Sequence, residues 1–284
     1  MTPRALLKQT AARFREAGLP DPETDSALLL SPLMSGQPPL ALRLDDETEL
    51  GADLLARYES LARRRLGREP LQYILGETWF GGLCFRVDRR ALIPRPETEQ
   101  LCEWAAETLA PAERPLSLLD LCCGRGCIGL TMKARFPALR VTLADVSGDA
   151  LALAGENAER LHLAVTLHRG DLFGGLDGCR FDRILSNPPY IPAAECDDLQ
   201  PEVLREPRSA LDGGADGLDF YRRIVDEAPA HLTPGGLLMM ELGFGQAPAV
   251  RCLLAAAGYR EIAVQPDFRG IDRMIRAVRP AEES

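Results

Sequence analysis

The chain is short of the residues on which nucleophilic and metal chemistry is usually built. Its 284 residues include three histidines, His162, His168 and His231, and none stands in an arrangement that would make a triad. Eight cysteines are present, but in a chain of this length without a signal peptide they supply no disulfide framework. Cys122, Cys123 and Cys127 lack the C-x2-C spacing of a zinc site, and no histidine-bearing partner segment follows them. They read as buried structural thiols, and no metal is expected. A GxxxxGK[ST] phosphate loop is absent, which disfavours ATP. No apolar run approaches the length of a membrane span. The segment MTPRALLKQTAARF has the pattern of an amphipathic helix and not of a cationic leader, so a cytoplasmic protein with no membrane partner is expected.

Positive charge is also scarce. The formal net charge is -9 and the isoelectric point near 5.0, which argues against a broad electrostatic grip on duplex DNA or on a lipid surface. Only Arg63, Arg64, Arg65 and Arg68 form a dense basic run. That run suits a solvated helix face with i,i+4 charge partners as well as a nucleic-acid contact. The remaining composition, 46% hydrophobic and 26% charged, is that of an ordinary folded protein, long enough for a main core and a smaller second domain.

Residues 1–73 show helical periodicity broken by LPDPETD, SPLMSGQPP and GREP, and predict a small helical domain. Aromatic and β-branched residues then surround Gly81 and Gly82, which predicts a hairpin within a linker over 74–95. Pro94 and Pro96 stiffen the start of a helix beginning near Glu97. From residue 117 onward the chain alternates strand and helix. LSLLDLC, VTLADV, AVTLHRGDL, FDRILS and GGLLMMEL are successive strands, followed by YREIAVQPD and a final strand in DRMIRAVR that could pair antiparallel at the sheet edge. This predicts an α/β domain over 96–284 with helices on both faces of a mixed, doubly wound sheet.

Ligands of such sheets lie beyond the carboxyl ends of the strands. The first end carries Cys122, Cys123, Gly124, Arg125 and Gly126, a turn that allows close backbone approach to a ligand but lacks the three glycines of a dinucleotide fingerprint. The second carries Asp145, about 20 residues beyond the glycines, where a carboxylate accepts both hydroxyls of a ribose; a lone aspartate more often caps the next helix, so the spacing carries this reading. The third carries Asp171 and Leu172, placed to bond and cover a purine or to make an ordinary Asx turn. Together they predict a pocket for a nucleoside-bearing cofactor.

The fourth end reads Ser186-Asn187-Pro188-Pro189-Tyr190. Pro188 has no amide hydrogen and Pro189 restricts it to an extended backbone, so the chain cannot turn at once into a helix. Side-chain and main-chain oxygens are thereby held toward the crevice. If Asn187 Oδ1 and the Pro188 carbonyl accept the two N–H bonds of a planar amide or amino group, its nitrogen is fixed against an electrophile opposite. Tyr190 can stack on the planar group. Such a site works by position and electrostatics.

At these residues the chain resembles a known family, the peptide-chain release factor N5-glutamine methyltransferases (HemK or PrmC proteins), class I S-adenosylmethionine enzymes. The strings that carry the resemblance are PLQYILGETWFGGLCFRVDRRALIPRPETE, LLDLCCGRGCIGL, LADVS, GDLF, SNPPYIP and EPRSALDGGADGLDFYRRI. It implies S-adenosylmethionine as cofactor, a release factor as protein partner, and methylation of the glutamine in the factor's Gly-Gly-Gln loop; a monomer is expected, and the acidity predicts no stable nucleic-acid binding. Residues Cys122 to Gly126, Asp145, Asp171, Leu172 and Asn187 would contact the cofactor. Asn187, Pro188, Pro189 and Tyr190, with Arg95 and Glu97 of the IPRPETE rim, would hold the glutamine. The Asn-Pro-Pro-Tyr string is shared with DNA adenine and some rRNA guanine N-methyltransferases, and sister enzymes act on a ribosomal-protein glutamine. A base methyltransferase and a non-catalytic cofactor-binding adaptor therefore remain as alternatives. The chain departs from the family pattern twice: Cys122 stands where the first glycine of the turn is usual, and Leu172 where an aromatic residue is common.

Overall fold

The computed structural model describes residues 1–34, 49–109 and 114–279. It divides into two compact units, Met1–Glu77 with Pro201–Arg205, and Thr78–Gln200 with Glu206–Ser284. Residues 35–39 of the SPLMSGQPP break lie outside the described residues.

The first unit is helical. Helix α1 (Pro3–Glu16) starts on Thr2, whose hydroxyl accepts from Ala5 N, and buries Leu6, Leu7, Ala11 and Phe14 at helical spacing. Proline also opens α2 (Pro22–Leu30), where Glu23 and Asp25 complement the helix dipole. Helix α3 (Ala52–Leu66) buries Tyr58, Ala62 and Arg65 on one stripe, and the short α4 (Leu71–Leu75) ends on Gly76 at φ 77°. The basic run is spent internally. Arg63 pairs with Glu59 at 3.0 Å and Arg64 with Glu69 at 2.7 Å. Arg65, 4% exposed, bridges Asp25 at 2.7 Å and Glu202 at 2.8 Å, and Arg68 reaches Glu202 at 3.3 Å. The expected i,i+4 partner is present for Arg63, while Arg65 is buried and not on a solvated face.

In the second unit, strands β1 (Glu77–Phe80) and β2 (Leu83–Arg86) form a two-stranded sheet. Gly81 and Gly82, both at positive φ, supply the tight turn that a two-residue hairpin requires. Helix α5 (Pro96–Glu107) follows. The main sheet comprises β3 (Ser117–Leu121), β4 (Arg140–Asp145), β5 (Thr166–Arg169), β6 (Phe181–Ser186), β7 (Leu232–Glu241), β8 (Arg260–Pro266) and β9 (Asp272–Val278), in the order β5-β4-β3-β6-β7-β9-β8. Helices α6 (Cys127–Arg135), α7 (Gly148–Arg160), α8 (Asp219–His231) and α9 (Ala247–Ala256) connect them. Two apolar clusters hold the sheet, one around Leu101, Leu118, Leu130 and Leu143 and one around Leu119, Ile184, Tyr221 and Ile275.

The doubly wound mixed sheet is the expected one, with one difference at its end. The final strand is antiparallel as expected but does not take the edge: β9 inserts between β7 and β8, antiparallel to both. Burial explains the placement. Met274, Ile275, Ala277 and Val278 of β9 are buried, whereas β8 is half exposed along its length and suits the rim. The third strand is also shorter than its apolar pattern, because Gly170 turns the chain and Leu172 adopts φ 50°.

Candidate active site

The strand register brings the catalytic candidates to one edge. Leu121, the last residue of β3, pairs with Ala144 on one side and Ser186 on the other, so Asp145 and Asn187 emerge flanking the same turn. Ser186 reinforces this by donating its hydroxyl to Leu121 O at 2.7 Å. Beyond these strand ends lies a cavity, open to solvent, whose wall includes Cys122, Gly124, Asp145, Leu172, Asn187 and Pro189.

The turn after β3 is left-handed at Cys122 (φ 58°), Gly124 (φ 55°) and Gly126 (φ 82°). A β-carbon at Gly126 would meet Leu143 at 2.9 Å and Leu130 at 3.2 Å. Its glycine serves close packing at the start of α6 and does not line the cavity among the described residues. Cys122, by contrast, holds a positive φ with a side chain, a conformation that costs about 1–2 kcal/mol. Cys123 and Arg125 also line the wall. The Arg125 guanidinium donates to Leu92 O at 2.8 Å and to Ala91 O, so its side chain braces the segment before α5 and leaves its backbone to the cavity.

Asp145 accepts through Oδ2 from Gly124 N at 2.8 Å and through Oδ1 from Ser147 N at 2.9 Å. Helix α7 is capped by Ser147, whose Oγ accepts from Ala150 N at 3.2 Å, so Asp145 is not spent as a cap. Each of its oxygens retains a lone pair for a donor in the cavity. Burial pushes this carboxyl up from the ordinary range, opposed by the backbone donors. Leu172, 3% exposed, covers the next stretch of wall. Asp171 lines the cavity while its carboxylate pairs with Arg223 at 2.9 Å.

On the opposite side, Asn187 Nδ2 donates to Thr98 Oγ1 at 3.1 Å, and Thr98 donates in turn to Glu241 Oε2 at 2.6 Å. Glu241 is 2% exposed, and burial raises its pKa to about 7, with the Thr98 bond opposing the rise. Its other oxygen lies 3.5 Å from the Tyr190 hydroxyl. Burial also pushes the Tyr190 phenol up. Gln246 holds the Tyr190 carbonyl at 2.9 Å. Pro188, Tyr190 and Glu97 are not among the described residues that line the cavity, whereas their neighbours Asn187 and Pro189 are. Arg95 lines it but is paired with Glu206 at 2.6 Å, and Glu206 also accepts from Ile93 N at 2.8 Å. Sequence reasoning did not single out Thr98, Glu241, Gln246 or Glu206. A usable signal existed for Glu241 alone, a carboxylate closing the apolar run GGLLMM at the ligand-bearing end of a strand.

A family model described as the methyltransferase small domain matches residues 104–217, and another described as the PrmC N-terminal domain matches residues 5–76. A release factor glutamine methyltransferase of Geobacter sulfurreducens is 44% identical over 275 residues, covering 96% of this chain and 95% of its own. One from Deinococcus radiodurans is 44% identical over 276 residues, covering 97% and 98%. A methyltransferase from Pyrococcus furiosus, 20% identical, superposes with a TM-score of 0.54 over 70% of this chain and 90% of its own, a likeness of fold. The sheet is thus the class I methyltransferase sheet, and the chain also carries a helical N-terminal unit.

Proposed function

The chain belongs to the release factor glutamine methyltransferases, and on that premise we propose that it methylates the side-chain N5 of a glutamine in the Gly-Gly-Gln loop of a peptide chain release factor, with Asn187 and the Pro188 carbonyl as the acceptor-binding pair. The observation that carries the assignment of roles is the common wall: Asp145 and Asn187 stand at the ends of β4 and β6 on either side of β3 and both line one cavity.

S-adenosylmethionine, the methyl donor of this family, supplies an already activated sulfonium methyl when bound. The residues fit it. Asp145 keeps two lone pairs for the ribose hydroxyls, Gly124 allows backbone approach, and Leu172 offers an apolar cover for the adenine. At the acceptor, Asn187 Oδ1 and the Pro188 carbonyl take the two N–H bonds and hold the amide plane facing the donor. When bound, the donor would supply its methyl group for a new C–N bond to the amide nitrogen and keep the C–S electron pair on its sulfur, while Asn187 and the Pro188 carbonyl hold that nitrogen until it sheds one proton to water. No general base is needed before attack. Asn187 and Pro188 act by holding the nitrogen in line, and Tyr190 by packing beside it.

The same reading makes the enzyme a cytoplasmic monomer acting on a protein substrate, with the helical unit contributing to recognition of the release factor. Incubation with labelled cofactor and purified release factor, followed by mapping of the labelled residue, is expected to place the methyl group on that glutamine. Label appearing on a ribosomal protein or a nucleic-acid base instead would replace the substrate while retaining the chemistry.

A further inference from the structure

A side-chain amide has nearly the same shape either way round, and only one way presents oxygen to the substrate NH2; the other sets donor against donor. The neighbours of Asn187 decide between them. Glu241, buried at the end of β7, can as a carboxylate only accept, so the Thr98 hydroxyl spends its single proton on Oε2 at 2.6 Å. Toward Asn187, 3.1 Å away, Thr98 can then only accept. Nδ2 must face Thr98, which leaves Oδ1 for the cavity. From this chain of contacts we infer that Thr98 and Glu241 are positioning residues that fix the polarity of the Asn187 amide for the methyl acceptor.

Two observations extend the inference. The carboxylate, hydroxyl and amide form a hydrogen-bond chain running from a buried anion to Asn187, which polarises Oδ1 toward the acceptor N–H. Glu241 also lies against the second part of the motif, 3.5 Å from the Tyr190 hydroxyl, so one carboxylate serves both ends of Asn187–Tyr190. It is faced by Thr98 and Glu97 of α5, by Arg95 before that helix, by Tyr190, by Arg273 of β9, and by Tyr221 of α8, whose hydroxyl donates to the Glu241 carbonyl at 2.9 Å. A protonated Glu241 could donate to Thr98 and release the Thr98 proton to turn the amide over. With its pKa near 7, kcat should therefore fall as pH drops through that value and level off above it.

The inference rests on Asn187 being the acceptor-binding residue, and the test separates the two. In full-length protein with release factor as substrate, Thr98→Val should lower kcat about 10- to 100-fold, the worth of one well-placed hydrogen bond. Cofactor affinity by calorimetry should stay within about 2-fold. Thr98→Ser should restore kcat and the loss of rate below neutral pH, while Thr98→Val should flatten that loss. If Thr98→Val fails to fold because Glu241 is stranded, the double variant Thr98→Val, Glu241→Met removes the whole polar unit and should show the same kcat deficit. Wild-type kcat in the folded valine or double variant, equal damage in Thr98→Ser, or a matching loss of cofactor affinity would each overturn the inference. Asn187→Ala measured in parallel distinguishes the levels: an inactive Asn187→Ala beside a fully active Thr98→Val ends only the relay, whereas an active Asn187→Ala removes the role of Asn187 itself.

Discussion

The two sides of the cleft are built over different ranges of chain. On the side of β3, β4 and β5, Asp145 bonds Ser147 two residues onward and Gly124 21 residues back, and the turn's glycines, Gly124 and Gly126, stand two residues apart. On the side of β6 and β7, Asn187 depends on Thr98 across 89 residues, Thr98 on Glu241 across 143, and Tyr190 on Gln246 across 56. The side proposed for the cofactor is a local motif in which backbone conformation does most of the shaping. The side proposed for the methyl acceptor is a set of side chains that meet only when the sheet closes. A change on the first side should therefore appear in ligand affinity or local stability, and a change on the second in the rate of the chemical step.

The largest expected effect lies on the acceptor side. Asn187→Ala should lower kcat by about 100- to 1000-fold, the range for removing one preorganised donor or acceptor at a reacting group, with cofactor affinity nearly unchanged. Turnover and calorimetry on one preparation check this, and equal loss in both would erase the contrast between the two sides. Asp145→Ala should do the reverse, weakening cofactor binding about 10- to 100-fold through the loss of charge-assisted hydrogen bonds; unchanged affinity in a titration would withdraw the ribose role.

Effects on stability come next. Gly126→Ala combines φ 82° with a methyl group 2.9 Å from Leu143, and should destabilise the folded state by roughly 1–3 kcal/mol. Denaturant titration would measure it, and a neutral result would mean that the turn yields more easily than its packing suggests. The smallest effect is expected of Cys122→Gly. Relief of the left-handed strain at φ 58° is offset by the greater freedom glycine gives the unfolded chain, so stability should change by less than about 1 kcal/mol. Cofactor affinity should rise a few-fold at most if the β-carbon narrows the approach. A large loss would make the thiol a contributor to the pocket instead of an obstruction.

Much of the cleft was legible before folding because its signals are short in range. The Gly-x-Gly turn, Asp145 about 20 residues beyond it, and the Asn-Pro-Pro-Tyr string each carry their conformational instructions in adjacent residues. The alternation of strands and helices likewise follows from local periodicity, and the inserted β9 was missed because strand order depends on relative burial of two similar apolar runs. Arg125 illustrates another limit: its place in the turn suggests a ligand contact, yet the carbonyls of Ala91 and Leu92 claim its guanidinium. The same holds for Arg65 of α3, whose partners Asp25 and Glu202 lie 40 and 137 residues away.

The amino-acid order by itself determined the type of sheet, the places where strands end in the candidate site residues, and the class of chemistry those residues suit, since all three rest on backbone preferences and side-chain types a few positions apart. Only the tertiary structure decided which way the Asn187 amide points, which cations are already paired and which strand fills the gap beside β7. Those outcomes depend on hydrogen-bond donors, charges and buried area contributed from distant parts of the chain, and no local pattern records which of them will meet.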